Sequence, residues 1–352
     1  MNRHELLEWL RQTDEQRLEA LWSRADEVRR QSVGDAVHLR GLIEISNYCV
    51  RACAYCGLRG PNARVERYRM SADEILECAQ LAMRFGYGTA VLQSGEDRGI
   101  TRDWMSHLIR RIKAETPLAV TLSLGERGDA DLEAWRAAGA DRYLLRFETS
   151  NRELYDHIHP PLPGRHSDRI AILRRLRDLG FEVGSGVMIG LPGQTYGDLA
   201  DDIGMFTALD LDMIGVGPFL SHPDTPLGRE SAVPTADPAE QVPATELMTY
   251  KVVALTRLTC PSANIPSTTA LATLNRENGR ELGLQRGANI VMPNLTPPQY
   301  RCKYEIYPAK ACLYETADAC HARIRQRILS LGRTIGTGRG DSPRRAADPT
   351  IA

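Results

Sequence analysis

The sequence of 352 residues has almost no net charge, −1 at pH 7, and neither an acidic nor a basic block dominates it. That removes the electrostatic footprint by which proteins hold nucleic acid or anionic lipid, so neither a nucleic-acid nor a membrane partner is expected. No apolar run reaches the roughly 18 residues of a spanning helix. The opening stretch, MNRHELLEWLRQTDEQRLEALWSRADEVRR, is too heavily charged for a secretory leader. A soluble, cytoplasmic protein is therefore the expectation. Internal repeats are lacking too, apart from an alternation of strand-like and helix-like segments.

Cysteine is not lacking: the chain has eight. In a reducing compartment that usage fits metal binding better than a disulfide framework. Three of the eight, Cys49, Cys53 and Cys56, share one short stretch with Cys-x3-Cys-x2-Cys spacing. Three thiolates on one loop can hold three irons of a cubane iron–sulfur cluster and leave the fourth iron open to a ligand that is not protein. A structural zinc site wants four ligands in close pairs, and neither Cys nor His occurs in the roughly ten residues after Cys56. A [4Fe-4S] cluster is expected on this loop, and it is the organising element of the chain.

Around it the apolar pattern alternates. Short runs at His38–Ser46, Thr89–Gln93, Ala119–Leu124, Arg142–Arg146, Glu182–Ile189, Met213–Gly217, Ala263–Pro266 and Asn289–Met292 are separated by segments of helical length and period. Eight such runs predict an α/β fold, a (β/α)8 TIM barrel of parallel strands, over residues 37–332. Residues 1–36 carry Leu6, Leu7, Leu10, Leu18, Leu21, Trp22 and Ala25 at spacings of three and four, which predicts a helical extension serving as a lid or barrel plug. Residues 333–352, rich in Gly, Arg, Pro and Ala without apolar period, read as a flexible tail whose RGD tripeptide is a chance match. Cys78 and Cys260 fall in helical patterns and are expected in the core.

Barrel enzymes carry their chemistry at the C-terminal ends of the strands. The polar residues gather there: Cys49 after the first run, Ser94, Gly95 and Glu96 after the second, Thr121 and Ser123 in the third. Arg146 and Glu148 close the fourth, Met188 opens the MIGLPGQT stretch of the fifth, and Thr268 and Thr269 follow the seventh.

The cysteine spacing, with the aromatic Tyr55 before the last cysteine, resembles the signature of the radical S-adenosylmethionine (radical SAM) superfamily. Further segments in order narrow the likeness: ISNYCVRACAYCGLRG, RYRM at Arg67–Met70, VLQSGED at Val91–Asp97, TLSLGE at Thr121–Glu126, AGADRYLLRFET at Ala138–Thr149, GLPGQT at Gly190–Thr195, GVGPFLSHPDTPL at Gly215–Leu227 and IPSTTA at Ile265–Ala270. Together they resemble the HydE family of [FeFe]-hydrogenase maturases, over about residues 1 to 330, in a clan that also holds biotin synthase and methylornithine synthase.

The resemblance implies that Cys49, Cys53 and Cys56 ligate a cluster whose open iron binds SAM, and that reductive cleavage of SAM gives a 5'-deoxyadenosyl radical. It implies SAM contacts from Tyr55, Ser94, Gly95, Glu96, Ser123 and Met188, with Glu148 on the ribose and Arg169 on the carboxylate. Those pairings make chemical sense, because a carboxylate accepts from vicinal hydroxyls and a guanidinium forks onto a carboxylate. Arg146, Thr121, Thr268, Thr269, Tyr300 and Tyr307 would line a cavity for a small anionic substrate. In this family that substrate is an organometallic one, an iron with carbon monoxide, cyanide and a cysteine-derived ligand. The implied partners are the maturases HydG and HydF and a reducing electron donor.

Two departures from the family pattern stand out. Phe147 replaces a histidine, and the following TSNRELYDHIHP has a methylornithine-synthase-like look, which keeps a carbon-skeleton mutase as an alternative. The C-terminal cysteines of some relatives, spaced Cys-x7-Cys-x2-Cys, hold an accessory iron–sulfur cluster; here Cys312 and Cys320 keep the first spacing, Arg323 stands third, and Cys302 is near enough in sequence to substitute. From another class, a metal-carrying scaffold without catalysis also fits the cysteines. Production of 5'-deoxyadenosine separates it from the enzyme.

Overall fold

The structure is a computed structural model that describes residues 1–229, 235–311, 313 and 315–346. Helices α1 (Arg3–Arg11) and α2 (Glu15–Val33) precede strand β1 (Ala36–Ser46). Then strands and helices alternate: α3 (Ala72–Arg84), β2 (Thr89–Ser94), α4 (Arg102–Glu115), β3 (Ala119–Ser123), α5 (Asp129–Ala137), β4 (Arg142–Leu144), α6 (Arg152–Ile158), α7 (Arg169–Asp178), β5 (Glu182–Ile189), α8 (Tyr196–Ala208) and β6 (Met213–Pro218). The rest comprises α9 (Glu246–Thr259), α10 (Thr269–Leu274), α11 (Gly279–Gln285), β7 (Ile290–Val291), α12 (Pro298–Arg301), α13 (Ala317–Ser330), β8 (Thr334–Ile335) and α14 (Pro343–Ala346).

The strands pair in parallel in the order β6-β5-β4-β3-β2-β1-β7. Residues 263–266, one of the eight expected runs, are too irregular for a full strand, yet they bridge both free edges: Asn264 pairs with Met213 of β6 and Pro266 with Ile290 of β7. Backbone bonds from Ile214 to Asn264 (3.0 Å) and from Asn289 to Ile265 (2.9 Å) complete the circuit. The expected parallel α/β barrel is thus present. Every residue of β5 is buried, as a strand covered on one side by helices and on the other by the barrel interior must be. Most of the helices begin at side-chain caps, including capping boxes at Ser71/Glu74 and Thr195/Asp198.

Two expectations about the chain ends need correction. The N-terminal helices are neither lid nor plug. They lie on the outer flank, α1 against α8 and α9 and α2 against α9, where Arg3 pairs with Asp201 at 2.6 Å and Lys251 donates to the Leu10 carbonyl at 3.0 Å. Leu6 and Leu10 of α1 belong to the same buried core as Ile328 of α13.

The plug is at the other end of the chain. Residues 334–335 pair with Ala36 and Val37 at the start of β1, and the chain then crosses the N-terminal end of the barrel. There Arg142, fully buried, is ion-paired with both Glu182 and Asp341, while Arg339 pairs with Asp141 at 2.6 Å. The amide of Ser342 donates to Glu182 at 2.7 Å, and the Gly340 carbonyl accepts from Arg40 at 2.9 Å. Gly88 makes this contact possible, since a Cβ there would lie 1.6 Å from the Gly338 carbonyl oxygen. The expected flexible tail is therefore an ordered floor over residues 333–346, and the RGD residues are part of its ion pairing; residues 347–352 lie outside the described residues.

Candidate active site

The cluster loop leaves the C-terminal end of β1 and is held by polar bonds on every side. Asn47 clamps its base, donating to the carbonyls of Glu66 (2.9 Å) and Lys303 (2.8 Å) and accepting from the Tyr68 amide (2.7 Å). Arg67 reaches the carbonyls of Asn47 (2.5 Å), Leu58 (2.8 Å) and Arg59 (2.8 Å), so one guanidinium satisfies turn carbonyls that the loop itself cannot. The Ala54 amide bonds Ile158 at the end of α6 (2.8 Å), and the Gly57 amide bonds Ile306 (3.0 Å). Gly95, after β2, lies under the loop; a Cβ there would sit 2.3 Å from the Tyr48 carbonyl and 2.8 Å from Cys49 Cβ. No other residue type allows that approach.

Cys53 is buried, and Cys49 and Cys56 are half-buried. Burial raises all three thiol pKa values, Cys56 to about 12, with neighbouring cysteines adding to the effect at Cys53 and Cys56 and Glu96 at Cys49. Among the described residues no three His, Cys, Asp or Glu side chains converge on a single ion position, these cysteines included.

Behind the loop runs a buried chain of charges that sequence reasoning did not find. Arg51 Nε lies 2.9 Å from Glu96 Oε2, and Arg51 Nη2 lies 2.7 Å from Glu126 Oε2. Glu126 Oε1 accepts from Arg169 Nε at 3.0 Å and from Ser167 at 2.6 Å. Arg169 Nη1 donates to the Arg146 carbonyl at 2.6 Å, and Nη2 meets His159 Nε2 at 2.5 Å. Burial, with Arg169 and Arg51 alongside, pushes His159 down to about 2, so the imidazole is neutral and accepts from Arg169. Glu126 stays ionised: its pKa is lowered by Arg169, Ser167 and Arg51 against the opposing effect of burial.

Next to this chain, Glu148 holds a left-handed backbone, φ 64°, at the barrel mouth. For a residue with a side chain that conformation costs free energy, of order 1–3 kcal/mol, and it recurs where a functional group must be aimed. Glu148 Oε1 accepts from Tyr55 at 3.5 Å. Its Oε2 lies 3.1 Å from Arg146 Nη2 without hydrogen-bond geometry, and Glu148 Oε2, Arg146 Nε and Thr121 Oγ1 are buried atoms lacking hydrogen-bond partners. Unsatisfied buried polar atoms are costly. Concentrated here, they mark where a polar ligand belongs. Three thiols on one loop, a glycine edge beneath it, an aimed carboxylate and a guanidinium fit a cubane cluster with SAM.

The other expected residues divide. Met188 and Tyr55 join a small apolar cluster with Ala54, Leu154, Ile158, Leu191 and Leu227 beneath the loop. Ser94 spends its hydroxyl on the Gly95 carbonyl at 2.6 Å. Ser123, half-buried, ends β3 in register with Gln93. Thr268 caps α10 by accepting from the Leu271 amide at 3.3 Å, and Thr269 is the first residue of that helix. Tyr307 is half-buried, and burial raises its pKa, with Glu44 adding to the effect and Arg146 opposing it.

Tyr300 does not line the cavity. Its ring stacks on Tyr68 at 4.8 Å and its hydroxyl donates to Glu74 on α3 at 2.7 Å, because the short α12 turns that face outward. Phe147 also points away from the cavity, into Phe206 of α8, with ring centroids 5.8 Å apart. Of the C-terminal cysteines, Cys302 is exposed beside α12 and Cys320 is buried on α13. Cys312 lies outside the described residues. Arg323 is ion-paired with Glu315.

Besides Arg51, Glu126 and His159, sequence reasoning missed Glu44 and Lys310. Glu44, fully buried on β1, is ion-paired with Lys310 and accepts from Asn294 at 2.9 Å. The signal available was a lone glutamate inside the apolar run GLIEIS, which is unfavourable without a buried partner.

Comparison with known proteins agrees with this geometry. The family model of the radical SAM superfamily matches residues 43–206. Over 326 residues the chain is 46% identical to the [FeFe] hydrogenase maturase subunit HydE of Thermotoga maritima, covering 93% of this chain and 89% of that protein. It is 30% identical over 281 residues to 3-methylornithine synthase of Methanosarcina acetivorans, covering 79% and 75% respectively. The crystal structure of a methylornithine synthase, PylB, superposes with a TM-score of 0.79 at 26% identity over 95% of this chain and 94% of that one. The chain is a radical SAM enzyme and belongs to the HydE family.

Proposed function

We propose that this enzyme acts in maturation of the [FeFe]-hydrogenase active site, on a small organometallic substrate: an iron carrying carbon monoxide, cyanide and a cysteine-derived ligand. The observation that carries the reading is the likeness to HydE, 46% identity over 93% of this chain and 89% of that protein. Cys49, Cys53 and Cys56 hold the cluster as thiolates, and loading it displaces the protons that burial keeps on them. When bound, the cluster supplies one electron to the SAM sulfonium and thereby a 5'-deoxyadenosyl radical.

The chain's own residues do the positioning. Glu148 accepts the ribose hydroxyls with Oε2, the oxygen without a hydrogen bond, and Arg169 forks onto the SAM carboxylate. The Gly95 edge leaves room for the methionine portion, with Ser94, Glu96 and Ser123 around it, and Met188 and Tyr55 present an apolar wall. Deeper in, Arg146, Thr121, Thr268, Thr269 and Tyr307 receive the anionic substrate, and the barrel floor closes the far end against water. HydG and HydF are the proposed maturation partners, with a low-potential electron donor, in the cytoplasm. The reading needs one cluster; Arg323, ion-paired with Glu315 where a third accessory ligand would stand, gives no support to a second on Cys302, Cys312 and Cys320.

A mutase reaction like that of methylornithine synthase is the second reading, favoured by the 0.79 TM-score to PylB. Its main sequence support was Phe147, and a side chain packed on Phe206 does not select a substrate. The test is complementation of a strain lacking its own HydE. Restored hydrogen evolution supports the maturase; no restoration, together with conversion of lysine to methylornithine by the purified enzyme, supports the mutase.

A further inference from the structure

We propose that Arg51, inside the cluster loop, is a positioning residue that sets how strongly Arg169 holds the SAM carboxylate, acting through Glu126, which the two arginines share. The inference rests on the assignment of Arg169 to that carboxylate made above. Its basis is the geometry of one buried carboxylate. Glu126 presents Oε2 to Arg51 Nη2 at 2.7 Å and Oε1 to Arg169 Nε at 3.0 Å. Arg51 also lies 2.9 Å from Glu96, and the side chains of all four residues are 5–10% exposed. At such burial charges are weakly screened, so a change at one end of the chain is felt at the other.

The four groups balance, two arginines against two glutamates. While Arg51 holds part of Glu126, Arg169 remains able to serve a ligand: its Nη1 and Nη2 make one bond each, to the Arg146 carbonyl and to neutral His159, and each nitrogen keeps a second N–H. Without Arg51, Arg169 alone balances the two carboxylates, and of these it touches Glu126. The guanidinium is drawn onto Glu126, its charge is neutralised there, and an incoming carboxylate meets a net negative wall.

The sign is therefore fixed. Losing Arg51 weakens SAM binding, and neutralising Glu126 in the same protein restores it. Arg51 also lies between Cys49 and Cys53, and its carbonyl accepts from the Gly60 amide at 2.7 Å, so the loop that carries the cluster and the arm that holds SAM share one network.

The experiment measures SAM binding by anaerobic calorimetry on the full-length reconstituted protein without reductant, alongside iron and sulfide content and turnover. Arg51→Met is expected to raise Kd for SAM about tenfold, with kcat at saturating SAM within about twofold and iron content unchanged. Arg51→Lys recovers part of the loss, since an ammonium can serve one of the two carboxylates. Arg51→Met combined with Glu126→Gln returns Kd to within about threefold of wild type.

Wild-type affinity in Arg51→Met, or a double variant no better than the single one, overturns the proposal. Should Arg51→Met fail to keep its cluster, Glu126→Gln alone decides: affinity equal to or above wild type supports the sharing, and any fall overturns it. Arg169→Gln separates the two layers. If it leaves Kd unchanged, the assignment of Arg169 is wrong; if it loses affinity while Arg51→Met does not, only the sharing is wrong.

Discussion

Arg146 and Glu148 face one another at 3.1 Å on the barrel mouth, flanking Phe147, whose ring is turned the opposite way into the core. The alternation of side chains along a strand thus continues past the end of β4, and position 147 belongs to packing rather than to the cavity. Phe147→His, which would restore the histidine of the family pattern, is expected to lower stability by about 1–3 kcal/mol, because a ring nitrogen would be buried without a partner. SAM cleavage per folded molecule should stay within about twofold. Urea unfolding and a 5'-deoxyadenosine assay check both halves; unchanged stability with altered cleavage would reverse the account of this residue.

Cys53→Ala should abolish SAM cleavage and most of the iron–sulfur absorbance while leaving the helical and strand content of the barrel intact. The loop is fastened by Asn47, Arg67 and backbone bonds that do not involve the thiol, and the core lies below it. Iron analysis and far-UV circular dichroism read the two effects separately.

The floor of the barrel is testable by truncation. Asp341→Ala leaves Arg142 with one ion pair, to Glu182, besides its bonds to the Thr89 hydroxyl and the Arg339 carbonyl, and the expected loss is about 1–3 kcal/mol, below that of a wholly buried pair because Asp341 is partly exposed. Ending the chain at residue 332 removes β8, the Arg339 pair and the Ser342 bond together, and should cost more. Denaturant midpoints decide. A truncated protein as stable as the full chain would contradict an ordered floor.

Stability should fall in mild acid through His159. Its folded pKa, about 2, lies below the ordinary 6.5, so the unfolded chain takes up a proton that the folded protein refuses. The contribution is present in full above 6.5 and is lost as pH falls from there toward 2, by up to about 1.4 kcal/mol per pH unit. His159→Gln cannot titrate, and its unfolding free energy should fall less steeply between pH 7.5 and 5, as chemical denaturation at the two pH values would show. Equal slopes in both proteins would refute the assignment.

Much of this was legible in the sequence, for identifiable reasons. β5 is buried on both faces and carries one charged residue, Glu182 at its start, so Glu182–Ile189 could be read with its boundaries. The cysteine loop was legible because three ligands close in sequence need no fold to bring them together. What was missed depends on pairing across the fold. The C-terminal segment has no apolar stripe because ion pairs and backbone bonds to Arg142, Asp141 and Glu182 hold it, and a polar anchor leaves no periodic trace. Arg51 and Glu126 are unremarkable charges until β3 and the loop are juxtaposed. The direction of Tyr300 was likewise unreadable, since one short helix decides whether its hydroxyl meets the cavity or Glu74.

The central claim, that three loop thiols and their buried surroundings support reductive cleavage of SAM, is tested most directly by reconstituting the protein anaerobically with iron and sulfide, reducing it with dithionite in the presence of SAM, and measuring 5'-deoxyadenosine. The wild type should give product and Cys53→Ala none. Absence of product from a wild type that holds its cluster, or equal product from a protein with Cys49, Cys53 and Cys56 all replaced by alanine, would contradict it.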